Sequence, residues 1–125
     1  MTNRESNTIT VIDTTRHAQI GEIKTGGKGP VRCDVTPDGR YLVYALMHDH
    51  KIEIADLETR RPVAQIAVEG DPISLSVSRD GQYAFASSEE IGMVHVISLK
   101  NRKLVRSFKT PKGAGPDPVL MVTAK

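Results

Sequence analysis

A chain of 125 residues has the length of one domain, and its 38% hydrophobic and 26% charged residues place it among globular chains rather than disordered or membrane-spanning ones. Seventeen basic against fifteen acidic side chains leave a formal charge of +2, which excludes strong global steering toward nucleic acid or anionic lipid. With no Trp, three Tyr and two Phe there is little to stack on bases, and the single cysteine, Cys33, excludes an intrachain disulfide.

In chain order, short runs with a two-residue apolar period predict eleven strands: 8–13, 19–25, 31–36, 41–47, 51–56, 62–68, 73–78, 83–88, 93–99, 103–110 and 118–123. Ile52-Glu53-Ile54, Ile73-Ser74-Leu75-Ser76-Val77 and Val94-His95-Val96 show the alternation most clearly, and no stretch holds a helical period. Turn-formers separate the runs: Pro37-Asp38-Gly39, Leu57 to Arg60, Arg79-Asp80-Gly81 and Lys100-Asn101-Arg102. Residues 1–8 are polar and hold no signal-peptide stretch, and no apolar run is long enough to cross a bilayer as a helix.

The elements repeat. Ile9, Val11 and Asp13 return 43 residues later as Ile52, Ile54 and Asp56, and 42 later again as Val94, Val96 and Ser98. Val35 to Tyr41 returns after 42 residues as Val77 to Tyr83, keeping the Asp-Gly turn. Four strands per forty-odd residues is the pattern of a β-propeller blade. The fold expected is an all-β partial propeller treated as a single unit, 1–125. It comprises the outer strands of a first blade (7–25), complete four-stranded antiparallel blades over 31–68 and 73–110, and the inner strand of a further blade at 118–123. A closed ring needs more blades than this, so the expected partners include the remaining blades of a longer propeller, or further copies associating through exposed blade faces.

These residues resemble the YVTN-type β-propeller repeat proteins. The resemblance spans about residues 7–123 and is carried by Pro30, Val35, Pro37, Asp38, Gly39, Ile52, Ile54, Asp56, Thr59, Ile66, Gly70 and Pro72. The naming tetrapeptide reads Val43-Tyr44-Ala45-Leu46 and Phe85-Ala86-Ser87-Ser88, and the strand-end Asp becomes Ser98 in the third copy. The resemblance implies a surface-layer or periplasmic binding protein, periplasmic or extracellular for a full-length chain. Among broader relatives it also implies lactonases and haem-carrying oxidoreductase propellers.

Blade topology sorts the loops onto two faces. One face gathers Gly26 to Pro30, Met47 to Lys51, Glu69 to Pro72 and Pro111 to Pro118. There, His48 and His50, two residues apart on an extended segment, could point one way and ligate a metal with Asp49 and Asp71 nearby, although no third His or Cys is placed to join them. Lys28 lies in Gly26-Gly27-Lys28-Gly29, which resembles a phosphate cradle but precedes no helix and is explained by the crossing between blades. The opposite face carries Arg16, Arg60, Arg61, Arg102 and Lys103, which could form a basic arc toward an anionic partner, diluted by Asp38, Glu58 and Asp80. Asp13, Asp38, Asp56 and Asp80 read as turn caps, and Cys33, aligned with Leu75, as a small buried core residue. No Cys-x-x-Cys-His is present, which excludes covalent haem attachment within these residues, and no catalytic constellation is recognisable.

The function expected is therefore a non-catalytic binding or scaffolding segment that presents loops to a protein or small polar ligand, with no metal, cofactor or membrane called for. The alternatives are a section of a lactonase-like or haem-dependent propeller enzyme using the loop-face histidines, and nucleic-acid binding through the basic turns. Nucleic acid is not the expected partner.

Overall fold

Alternating side chains and Asp-Gly turns build three antiparallel sheets. The computed structural model describes residues 1–120 and 122. The first sheet holds β1 (Thr2–Asn3), β2 (Thr8–Asp13) and β3 (Ala18–Lys24). The second holds β4 (Pro30–Val35), β5 (Tyr41–Leu46), β6 (Lys51–Asp56) and β7 (Arg61–Ala67). The third holds β8 (Ser74–Val77), β9 (Tyr83–Ser88), β10 (Met93–Ser98) and β11 (Lys103–Lys109). Each sheet is a meander whose strand order follows the chain, and the inner strands β4 and β8 lie side by side. The arrangement is a partial β-propeller. No helix among the described residues is long and apolar enough to cross a membrane.

The backbone repeats as closely as the sequence does. Pairing slips by one residue at Val11/Ile12, Ile54/Ala55 and Val96/Ile97, the same point of each outer hairpin. Each of these hairpins then turns on a left-handed residue: His17 (φ 52°), Arg60 (φ 57°) and Arg102 (φ 54°). A bulge raises local twist, so the outer pair of strands rotates by a similar device in every blade. Gly39 (φ 73°) and Gly81 (φ 71°) supply the positive φ of the inner hairpins.

β1 was not expected from the sequence. It pairs Thr2 with Ile9 and Asn3 with Thr8, and so stands where the second strand of the first blade belongs. Of the strand expected over 118–123, residues 118–120 and 122 form no strand, and 121 and 123 lie outside the described residues. The segment still runs beside the third blade, where the Val119 N–H donates to Ser74 Oγ at 2.8 Å.

Sheet faces decide the core. Ile52 and Ile54 of β6 point toward the third blade, where they bury against Leu75, Val77, Ala84 and Ile97. Ala55, on the other face of the same strand, joins Ile9, Ile23, Leu42, Tyr44 and Leu46 between the first and second blades. Each fully buried aliphatic side chain contributes about 1.5–3 kcal/mol through apolar surface removed from water.

Cys33 corrects the sequence reading. It is exposed, not buried. Leu75, its counterpart, is covered because β8 faces β4, whereas β4 faces a first blade with no inner strand among the described residues. Val35, the counterpart of Val77, is exposed for the same reason. Desolvation by the strands that flank it still pushes the Cys33 thiol pKa up, which keeps the thiol un-ionised.

Candidate functional site

Five of the sequence-predicted residues meet on the face of the inter-blade crossings. Residues 47–49 form a single turn of 3-10 helix, and His50 follows in the left-handed region (φ 54°). The expectation of two histidines on an extended segment is thereby corrected, because a helical turn does not bring alternate side chains to one side. The turn has another use: Asp49 Oδ2 accepts the Lys28 N–H at 2.7 Å and ties the crossing loop of the second blade to it. His48 packs against Gly29, where a Cβ would come within 2.8 Å of its Nδ1. His50 Nδ1 lies 2.8 Å from Asp71 Oδ1 and 3.0 Å from the Gly70 carbonyl, at the crossing into the third blade. His48, His50 and Lys28 are exposed.

Among the described residues, no three His, Cys, Asp or Glu side chains are grouped to hold a metal ion. Nor does the glycine loop cradle an anion. Three of the four amides of Gly26–Gly29 are already engaged, Gly26 N–H by Glu53 Oε1 (2.7 Å), Lys28 N–H by Asp49, and Gly29 N–H by Asn7 Oδ1 (2.9 Å). A cleft of about 810 Å³ opens on the same face farther along the third blade, between Glu89–Gly92 and Lys109–Gly115, with Glu89, Glu90, Lys109 and Lys112 offsetting one another in charge.

Two buried polar centres were missed by the sequence reading. Glu53, fully buried, accepts hydrogen bonds from the Tyr44 hydroxyl, the Gln65 amide and Gly26 N–H. Burial and the adjacent Glu53 carboxylate drive the Tyr44 pKa far above that of a free phenol. Forty-two residues on, His95 holds the same place in the third blade. Its Nε2 meets Ser88 Oγ (3.0 Å) and the Glu69 carbonyl (2.9 Å), and its Nδ1 meets Ser107 Oγ (2.7 Å). The available signal was a polar residue mid-strand in two copies, each with a polar partner twelve residues later, Gln65 and Ser107.

Burial lowers the His95 pKa, because the low-dielectric interior disfavours the imidazolium. The folded value then lies below the unfolded value of about 6.5, so the unfolded chain binds more protons as pH falls past that point. The stability is present above about pH 6.5 and lost as pH drops toward the folded pKa. The urea midpoint is expected to fall between pH 7.5 and 5.5, and a His95→Gln variant to lose most of that slope. An equal slope in both proteins would contradict this.

On the opposite face the basic side chains are partly occupied. Arg16 pairs with Asp13 at 3.7 Å, and the Arg60 guanidinium donates to the Ile20 carbonyl at 2.9 Å across the first blade boundary. Arg102 lies over the Tyr41 ring at 5.7 Å across the second. Arg61 and Lys103 are exposed at the starts of β7 and β11. The aspartates cap as expected. Asp13 and Asp56 accept the N–H groups two and three residues on, and the Thr36 and Ser78 hydroxyls hold Asp38 and Asp80 below the usual carboxylate pKa.

The fold is shared with solved structures. The chain superposes on hydrazine synthase of Kuenenia stuttgartiensis with a TM-score of 0.86 and 24% identity, covering 93% of this chain and 33% of that one. It superposes on a functionally unknown protein from Desulfotomaculum acetoxidans with a TM-score of 0.76 and 15% identity, covering 89% and 36%. The chain thus spans about a third of the length of these structures, and at such identities the likeness is one of fold. No curated protein sequence matches. The model of one family, described as the Cytochrome D1 heme domain, matches residues 1–124, nearly the whole chain. The chain belongs to the Cytochrome D1 heme domain family.

Proposed function

We propose that this chain is a section of a haem-binding propeller domain, and that His50 on the crossing-loop face is its contribution to holding the cofactor. Within that family the reading rests on one observation. The contacts from Asp71 and the Gly70 carbonyl to Nδ1 leave Nε2 of an exposed imidazole without a hydrogen bond among the described residues. An acceptor on Nδ1 fixes the proton there and makes Nε2 the basic nitrogen, the usual arrangement of an imidazole that ligates iron. The described residues fit a haem as one edge of its site: His50 would bind the iron and Lys28, on the adjoining loop, would meet a propionate. Bound haem would supply one-electron chemistry; the residues here bind and orient.

This is the haem-dependent alternative raised from the sequence: the arc contributes part of the binding site, and redox activity belongs to a ring completed by further blades. The finer description of the repeat as YVTN-type is part of the same reading, supported by the Asp-Gly turns of two copies and the strand-end caps at Asp13, Asp56 and Ser98.

Titration of free haemin with the chain tests the proposal through the Soret band. Saturable binding is expected. Asp71→Asn should weaken it about tenfold, as loss of an orienting partner does, His50→Ala should weaken it further, and His17→Ala on the opposite face should not change it. Unaltered affinity in His50→Ala would reject the assignment.

A further inference from the structure

The third outer hairpin differs from its two counterparts in charge. In the first copy Asp13 is matched with Arg16, and in the second Asp56 and Glu58 lie in one hairpin with Arg60 and Arg61. In the third, the strand-end Asp is replaced by Ser98, and Lys100, Arg102 and Lys103 follow with no acid among them. Ser98 Oγ preserves the cap, accepting the Asn101 N–H at 3.2 Å, so the exchange removes a charge and keeps the turn.

This uncompensated hairpin borders a cavity of about 220 Å³ between the second and third blades, lined by Thr36, Tyr41, Ile54, Leu99, Lys100 and Arg102. Ile54 and Leu99 make its floor apolar. Tyr41 forms a wall, held by Arg40 at 5.2 Å and Arg102 at 5.7 Å from its ring centroid. Arg40 is neutralised by Asp56 at 3.8 Å, whereas Lys100 and Arg102 have no acidic partner among the described residues. Asp38 and Asp80 line the adjoining cleft with Lys100 but not this cavity, which leaves Arg102 as the cation facing its mouth with least competition.

We propose that this cavity binds a small organic anion, a carboxylate attached to an apolar body, with the carboxylate at Arg102 and Lys100 and the apolar part over Ile54, Leu99 and the Tyr41 ring. An apolar pocket with a few converging polar groups suits such a ligand, and a guanidinium without an acidic partner among the described residues suits its head group. The site lies on the face opposite His50 and stands or falls independently of haem binding.

Benzoate is the probe, titrated into the full chain and followed by amide chemical shifts. Saturable binding is expected, with perturbations confined to the lining residues. Benzyl alcohol, which has the same ring without the charge, should bind about tenfold more weakly, the value of one charge-assisted hydrogen bond. Arg102→Gln should produce a comparable loss. Because Arg102 also packs on Tyr41, Lys100→Gln, at an exposed position, is the second variant and should weaken binding several-fold in an unaltered fold. Arg60→Gln, at the same place in the preceding copy, should leave it unchanged. Absence of saturation, equal affinity for benzyl alcohol, or full affinity in Lys100→Gln would overturn the assignment.

Discussion

Replacing Glu53 by alanine is expected to destabilise the fold by about 2–4 kcal/mol, measured as a fall in the urea unfolding midpoint at constant slope. The side chain is fully buried, yet its carboxylate is satisfied by three donors from three places: Tyr44 on the neighbouring strand, Gln65 on the next strand outward, and Gly26 in the loop leaving the first blade. Alanine would orphan the Tyr44 hydroxyl, itself fully buried, and would leave a void where the fully buried Glu53 side chain stood. Gln65 and Gly26 are exposed and can turn to water, which bounds the cost. Glu53→Gln keeps the shape and exchanges an acceptor for a donor, so it should fall between wild type and alanine. A loss below about 0.5 kcal/mol, the scale of ordinary surface substitutions, would show that the carboxylate does not join the two blades.

The second large effect compares equal positions in unequal surroundings. Ile12, Ala55 and Ile97 occupy one place in the repeat, 43 and 42 residues apart. Ile97 is 0% exposed in the core between the second and third blades, whereas Ile12, on the far side of the first blade, is 47% exposed. Ile97→Ala should therefore cost about 2–4 kcal/mol, through lost transfer energy and a cavity that cannot collapse between two sheets. Ile12→Ala should cost about 0.5 kcal/mol or less. Both are measured by the same urea titration. Equal losses would mean that the blades do not pack as described.

The same comparison explains what could be read from the sequence. The strands, the Asp-Gly hairpins and the caps were legible because each depends on residues close in the chain: Asp56 accepts N–H groups at Glu58 and Thr59, two and three residues away. The exposure of Cys33 was not legible, because it depends on a neighbouring blade rather than on Cys33 or its strand. Glu53 and His95 escaped notice for a related reason. Alternation marks a polar residue as solvent-facing in a sheet covered on one side, but Glu53 and His95 lie on the strand face that meets the preceding blade, beside Gly26 and Glu69 of the crossings. The His48–His50 spacing misled because Met47–Asp49 coils into a turn anchored by Asp49 on the crossing loop. The contact of His50 with Asp71 joins residues twenty-one apart across a blade boundary and could be seen only in the fold.

The loop faces follow from the blades. The crossing loops are held by Glu53 and Asp49, and His48, His50 and Lys28 stay exposed beside them. On the other face the repeated left-handed turns place Arg60 and Arg102 at equivalent blade boundaries. There two exchanges, Asp56 to Ser98 and Glu58 to Lys100, alter the charge while the left-handed turn and its cap are kept.

All of this depends on blades stacked face to face, and methyl nuclear Overhauser spectroscopy of the isotope-labelled chain tests that most directly. Cross-peaks are expected between methyl groups of Val43, Ile52 and Ile54 in the second blade and those of Leu75, Val77 and Ile97 in the third, which share one buried cluster. Cross-peaks confined within residues 30–67 and within 74–109, with none between the two sets, would contradict it.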